Sequence, residues 1–251
     1  SLILTHTSGG VVTIPVGTTA STVAFADASR SLVFNTTSSA VELGSQAVTS
    51  TAAAVSAGTG GSAAGQTVTL TTGVDVGSKF VGGASNDTFQ SYDGETGAGI
   101  VNALGAADRI DGGAGIDTLE VIASGQFEIA STTVAKSIEI LNVTSLDDVD
   151  VSPSATNFAS LTDINVLAAA EVIVDAADTT NVSVSGATGA AVEVDGGNNV
   201  TVSSAKAGQD ISIGATTEAA GVVSVTHVAQ TTGDIVVEGG TNVTVVAANA
   251  V

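Results

Sequence analysis

The sequence predicts an all-β protein wound as a parallel β-solenoid. Three observations carry that expectation. The apolar residues make up 43% of the chain, yet aromatics are 3% and Met, Trp and Cys are absent, so the core must be built from Val, Ala, Ile and Leu. Val and Ile, with the plentiful Thr, are stiff at χ1 and suit a pleated surface. Thirty glycines against two prolines, Pro15 and Pro153, imply many tight turns between short strands. Finally, from about residue 138 onward a β-rich unit recurs at about 20-residue intervals, the spacing of a stacked repeat.

The elements follow in order. Residues 2–6 (LILTH), 11–16 (VVTIPV), 22–26 (TVAFA) and 31–34 (SLVF) read as short strands, separated by Gly9-Gly10, Gly17 and the stretch from Asp27. Residues 51–66 contain only Ala, Ser, Gly, Thr and Val until Gln66, which suggests a flexible loop or boundary, with a short Ala-rich helix around 52–57 as the alternative. The chain is therefore divided at 67/68. Residues 1–67 form an N-terminal β region, either a separate domain or irregular early coils, and residues 68–251 form the solenoid.

Within the solenoid the doublet Asn-Val stands at 142–143, 165–166, 181–182, 199–200 and 242–243, and Val222–Val225 fills the one missing period. The copies GGNNVTV (196–202) and GGTNVTV (239–245) differ at a single position. Each coil is expected to turn Val or Ile inward on alternate positions and Thr or Ser outward. Equivalent Asn residues are expected to form a ladder at a corner. A β-sandwich with strands every 8–12 residues would give a similar texture; the longer period favours the solenoid.

The segment 112–120, Gly-Gly-Ala-Gly-Ile-Asp-Thr-Leu-Glu, fits the nonapeptide G-G-x-G-x-D-x-U-x, where U is a large apolar residue, at every specified position. Calcium takes about six or more hard oxygens. Glycines at 113 and 115 let a tight turn aim backbone carbonyls at one point, Asp117 adds charge, and Leu119 starts the inward-packing strand. Residues 81–89 (Val-Gly-Gly-Ala-Ser-Asn-Asp-Thr-Phe) repeat the pattern with Ser85 in place of the third glycine. Gly82, Gly83, Asn86 and Asp87 are its candidate calcium residues. Asp75 precedes the first copy, and Asp108 and Asp111 precede the second. Asp87 and Asp117 are 30 residues apart, so the intervening segment from Tyr92 to Ala107 must bulge out or form an extra turn. Eight of the 25 acids lie between Asp75 and Glu120, which makes this the segment where a cation would relieve most repulsion.

The net charge of −20, with only five Lys and Arg, argues against nucleic-acid binding, because nothing here neutralises phosphates. The absence of cysteine removes thiol catalysis, disulfides and thiolate metal sites. Mean hydropathy is +0.45, but no run of about 18 apolar residues suggests a transmembrane segment. The chain has neither a signal peptide nor an initiator Met and reads as a piece of something longer.

The stretches TLTTGVDVGSKFVGGASNDTF (69–89 with Val68 before it), DRIDGGAGIDTLEV (108–121) and SIEILNV (137–143) resemble the calcium-dependent RTX S-layer proteins of Gram-negative bacteria. The repeat VDGGNNVTVSS (194–204) is similar to their coils. The resemblance covers about 68–251. It implies a right-handed parallel β-helix, type I secretion and calcium-triggered assembly into a surface lattice. Carried over residue by residue, the family's calcium positions fall on Asp75, Asn86, Asp87, Asp108, Asp111 and Asp117. Ser85 and the small number of full repeats depart from the family pattern.

Other features carry less. Asp147, Asp148 and Asp150 read as a solvated strand face in preference to a peripheral calcium site or an acid–base pair. Asp195 and Glu238 precede Gly-Gly pairs without a following Asp, as at degenerate corners. His6 and His227 read as surface or turn histidines. Four of six N-x-[ST] sequons arise from the repeated N-V-[ST] strand, which explains them better than glycosylation does. No G-x-S-x-G, P-loop or dinucleotide pattern is present. The expected function is structural and non-enzymatic: calcium-dependent self-association into an extracellular lattice or filament at the cell surface, with cell-surface polysaccharide as a further partner. A segment of a large RTX adhesin or matrix protein is the alternative, and the repeat module of a secreted enzyme comes third.

Overall fold

The computed structural model describes residues 65–251 except 97–98, 102, 154, 169, 188, 190, 231 and 250–251, together with the strands of the first 64 residues as backbone. The chain divides into two compact units, Ser1–Ser62 and Ala63–Val251. In the first, β1 (Leu2–Thr5) pairs with β2 (Val11–Ile14), and β3 (Thr22–Ala24), β4 (Ser31–Asn35), β5 (Ala40–Leu43) and β6 (Gln46–Val48) pair in sequence; every one of these pairings is antiparallel. The low-complexity stretch up to residue 64, and His6, lie outside the described residues.

The second unit is a parallel β-solenoid. Its long sheet stacks β7 (Thr67–Thr69), β8 (Thr88–Thr96), β11 (Thr118–Ala123), β14 (Ile140–Ser145), β16 (Asp163–Ala168), β18 (Asn181–Ser185), β20 (Val200–Ser204), β22 (Val222–Gln230) and β24 (Asn242–Asn249), each parallel to the next. A second sheet stacks β12 (Phe127–Glu128), β15 (Val149–Val151), β17 (Val172–Ala176), β19 (Ala191–Gly196), β21 (Asp210–Ile213) and β23 (Ile235–Val237). A third, short ladder lies in the early coils, where β10 (Arg109–Asp111) pairs with β13 (Val134–Lys136) and Val81 bridges to Asp111; in the late coils a single bridge, Ala219 to Gly239, stands in its place. Among the described residues the only helical segment is one 3-10 turn, Ser78–Phe80. None of their helices is long and apolar enough to cross a membrane.

Residues of one parity point inward, and their sizes taper along the axis. One inward column runs Phe89, Leu119, Leu141, Ile164, Val182, Val200, Val223, each the register partner of the last, and all are at most 2% exposed. Asn142 and Asn165, on three-sided coils, are 23 residues apart, while Asn181 and Asn199, where the third face is gone, are 18 apart. A close-packed interior needs side-chain volume to match the space enclosed, but coil length alone does not set the residue: Val200 and Val223 are 23 positions apart, as are Leu141 and Ile164. Each such burial stabilises by about 1.5–3 kcal/mol relative to exposure.

The bulge expected between Tyr92 and Ala107 is a β-hairpin. Strand β8 runs past the sheet and pairs antiparallel with β9 (Gly99–Val101) through Gly94↔Val101, Glu95↔Ile100 and Thr96↔Gly99. This excursion accounts for the 30-residue spacing of Asp87 and Asp117, and the coil beneath it keeps the register of its neighbours.

Two expectations about side chains are corrected. His227 is fully buried, because residues 223, 225 and 227 share the inward parity of β22. The Asn-Val doublets do not form one ladder. Asn165 donates to Asn142 (2.9 Å), whereas Asn181, which donates to Asp163 (3.1 Å) and accepts from Asn199 (2.9 Å), stands two positions earlier on its strand.

Candidate functional site

The two glycine turns stack directly on one another. Val81 bridges Asp111, Thr88 faces Thr118, the Gly82 amide donates to Asp111 O (2.7 Å), and the Ala114 amide donates to Gly83 O (2.9 Å). Asn86 adds a rivet by accepting from the Ile116 amide (3.0 Å). The stacked turns nevertheless differ in backbone. Gly113 (φ 93) and Gly115 (φ 145) are left-handed, and their counterparts Gly83 and Ser85 are not. That difference explains why serine is tolerated at position 85: the upper turn closes without a positive φ there. Gly112 is required for a steric reason, since a Cβ would run into Ser137 O and come within 2.5 Å of Asp117 Oδ2.

At the end of the third face, one residue ahead of each long strand, lies a column of Gln66, Asp87, Asp117 and Glu139. The first three main-chain amides each donate to the side chain on the next coil. Gln66 N–H bonds Asp87 Oδ1 (2.5 Å), Asp87 N–H bonds Asp117 Oδ1 (2.6 Å), and Asp117 N–H bonds Glu139 Oε2 (2.8 Å). Asp87 Oδ2 also accepts from the Gly83 amide (2.5 Å), and Asp111 Oδ1 from the Gly113 amide (3.1 Å). Asp117 is fully buried, and its Oδ2 has no hydrogen-bond partner. Burial pushes the Asp117 carboxyl above the usual carboxylate range; the bond from Asp87 N–H opposes this, and the charges of Asp87, Glu139 and Asp111 reinforce it.

Asp75 and Asp108 belong to a separate group at the start of the third face, a three-residue strand away from Asp117's corner and therefore about 10 Å distant. Both are buried. Asp108 Oδ1 accepts from Asp75 N–H (2.8 Å) and Oδ2 from Gly105 N–H (2.6 Å), while Asp75 is held by the Thr71 amide (2.7 Å) and hydroxyl (2.5 Å). Burial raises the Asp108 carboxyl, the two amide bonds lower it, and the charge of Asp75 raises it again. The ten candidate residues thus form two groups: Gly82, Gly83, Asn86, Asp87, Asp111, Gly113, Gly115 and Asp117 in one, and Asp75 and Asp108 in the other.

Two acids were missed by the sequence reading. Asp93 is buried at the base of the hairpin, where Oδ1 accepts from Ser91 Oγ (2.9 Å) and from the amides of Leu104 (3.3 Å) and Ala103, while Oδ2 has no partner. Burial raises its carboxyl, those bonds lower it, and the charge of Asp108 adds to the rise. Glu139 had a legible signal: Ile138-Glu139-Ile140-Leu141 repeats the pattern of Ile116-Asp117-Thr118-Leu119 without the glycines. Of the acids weighed lightly from the sequence, Asp147 and Asp148 are exposed, and Asp195 caps a corner by accepting from the amides of Thr216 (2.8 Å) and Thr217 (3.4 Å).

Among the described residues, no group of three or more His, Cys, Asp or Glu is placed to hold one metal ion. A cation at the Asp87–Asp117 corner would take one or two carboxylates and complete its shell with backbone carbonyls and water, a donor set that suits calcium. The unpartnered buried oxygen of Asp117 fits that requirement, since a buried anionic acceptor left unmatched costs free energy. Comparison with known proteins finds no family model and no curated protein that matches the chain.

Proposed function

We propose that this chain is a calcium-dependent structural protein of the bacterial cell surface, exported by a type I system and self-associating into an S-layer or similar lattice. It is non-enzymatic on this reading. The observation that carries the proposal is the acid corner, where Asp87, Asp111, Asp117 and Glu139 crowd a glycine-lined stack with a buried, unpartnered carboxylate oxygen. At a net charge of −20, copies of the chain repel one another as well as themselves. Divalent cations relieve both repulsions, and they are abundant outside cells. The corner residues hold and orient the ion; the rigid stack of coils beneath supplies a flat-sided building block. Cell-surface polysaccharide is a further partner on this reading.

Electron microscopy with calcium and then with a chelator tests the proposal. Ordered arrays that form with calcium and dissolve with chelator are expected. Monomers in both conditions would sink the lattice reading and favour a segment of a larger RTX adhesin.

A further inference from the structure

The sequence pairs the complete nonapeptide with the near-copy upstream of it. One oxygen of Asp117 does face that copy, accepting from the Asp87 amide (2.6 Å); the other lies beside the carbonyl of the turn that follows. The same arrangement occurs on two tiers. On the upper tier, the Cβ-less side of Gly82 lies against Asp87 Oδ2 and the Gly112 carbonyl; on the lower, that of Gly112 lies against Asp117 Oδ2 and the Ser137 carbonyl. The tiers differ in what is already occupied. Asp87 Oδ2 accepts from the Gly83 amide (2.5 Å), while Asp117 Oδ2, fully buried, accepts from nothing. Glu139 stands next, occupying Asp117's position one coil on and accepting from the Asp117 amide through Oε2 (2.8 Å). Ser137 presents its carbonyl from a left-handed backbone (φ 49), a conformation that costs a non-glycine residue.

Resting on the calcium reading above, we infer that the divalent-cation seat of this corner is the lower tier, formed by Asp117 of the nonapeptide together with the Ser137 carbonyl and Glu139 of a turn that lacks it. Two carboxylates, a carbonyl and water make a hard-oxygen shell without a third acid. Asp87 then serves as a hydrogen-bond acceptor that joins coils, and its charge is secondary.

Calcium titration calorimetry on the full chain, with far-UV circular dichroism to verify the fold, separates the tiers. Glu139→Gln and Asp87→Asn each keep an acceptor oxygen and delete a charge. Glu139→Gln is expected to weaken calcium binding by about tenfold or more, Asp117→Asn to abolish it, and Asp87→Asn to change it less than about threefold. If Asp87→Asn loses binding while Glu139→Gln matches the parent, the seat is the upper tier and this inference fails with the calcium reading intact. If the parent chain binds no calcium, both fall. Should a variant fail to fold, the thermal shift of Ser137→Gly decides: it retains the carbonyl in a backbone glycine prefers, so a calcium response equal to or above the parent's is expected, and a lost response overturns the lower tier.

Discussion

The early and late coils of the solenoid solve one stacking problem in two ways. Where the chain turns into a long strand, a main-chain amide must find an acceptor on a neighbouring coil. In the late coils that acceptor is main chain on the preceding coil: Thr162 N–H bonds Glu139 O (2.9 Å), and Gly221 N–H bonds Asn198 O and Thr241 N–H bonds Gly221 O, both at 2.7 Å. In the early coils the amides of Gln66, Asp87 and Asp117 go to carboxylates instead. The fold therefore does not require acids at this corner. Neutral backbone does the same job a few coils on, without burying mutually repelling charge. On the proposed reading, the acid column is kept for the cation that neutralises it.

The comparison is open to direct attack. The largest effect is expected from Gly112→Ala, whose Cβ would collide with Ser137 O. It should cost more than about 4 kcal/mol in urea unfolding, while Gly73→Ala, with its nearest neighbouring atom at 3.7 Å, should stay within about 0.5 kcal/mol of the parent. Equal effects would show that the turns are not stacked as described.

A middle-sized effect lies in the pH dependence. Asp93, Asp108 and Asp117 are all raised above their ordinary value of 3.8. Between that value and the raised ones the folded chain binds more protons than the unfolded chain. Without calcium, stability should therefore fall as pH rises through this window and be greatest at its acid end. Thermal melts in chelator check the sign. Asp93→Asn, which keeps an acceptor for Ala103 and Leu104, should flatten the slope; an unchanged slope would remove Asp93 from the account.

The smallest effect probes the late coils. Asn181→Ala deletes the bonds to Asp163 and from Asn199 and should cost about 1 kcal/mol. The loss should be equal in calcium and in chelator. A calcium-dependent loss would mean that the two halves are coupled and the contrast between their corners is false.

Much of the architecture was legible in the chain. The Asn-Val spacing and the alternation of Val with Thr or Ser contain the coil length and the inward face, because both depend on local periodicity. The stacking of 81–88 on 111–118 could be read from two copies of one pattern. The hairpin inside a coil was foreseen only as a bulge: its strands are short, and Gly94 and Gly99 give no alternation to read. Glu139 escaped because its turn lacks glycines, and His227 because the strand's parity, and not the residue's polarity, sets which way a side chain faces.

What the sequence determined by itself was the repeat, the all-β class, and the concentration of acids and glycines around 75–120. These are one-dimensional properties, fixed by residue type and spacing. The tertiary structure decided which residues share a column. Register places Glu139 over Asp117, separates Asp75 and Asp108 from Asp87, and splits the asparagines into two ladders, because a parallel stack joins residues some 18 to 30 positions apart. Which carboxylate oxygen is left without a donor depends on those pairings, and no local pattern contains it.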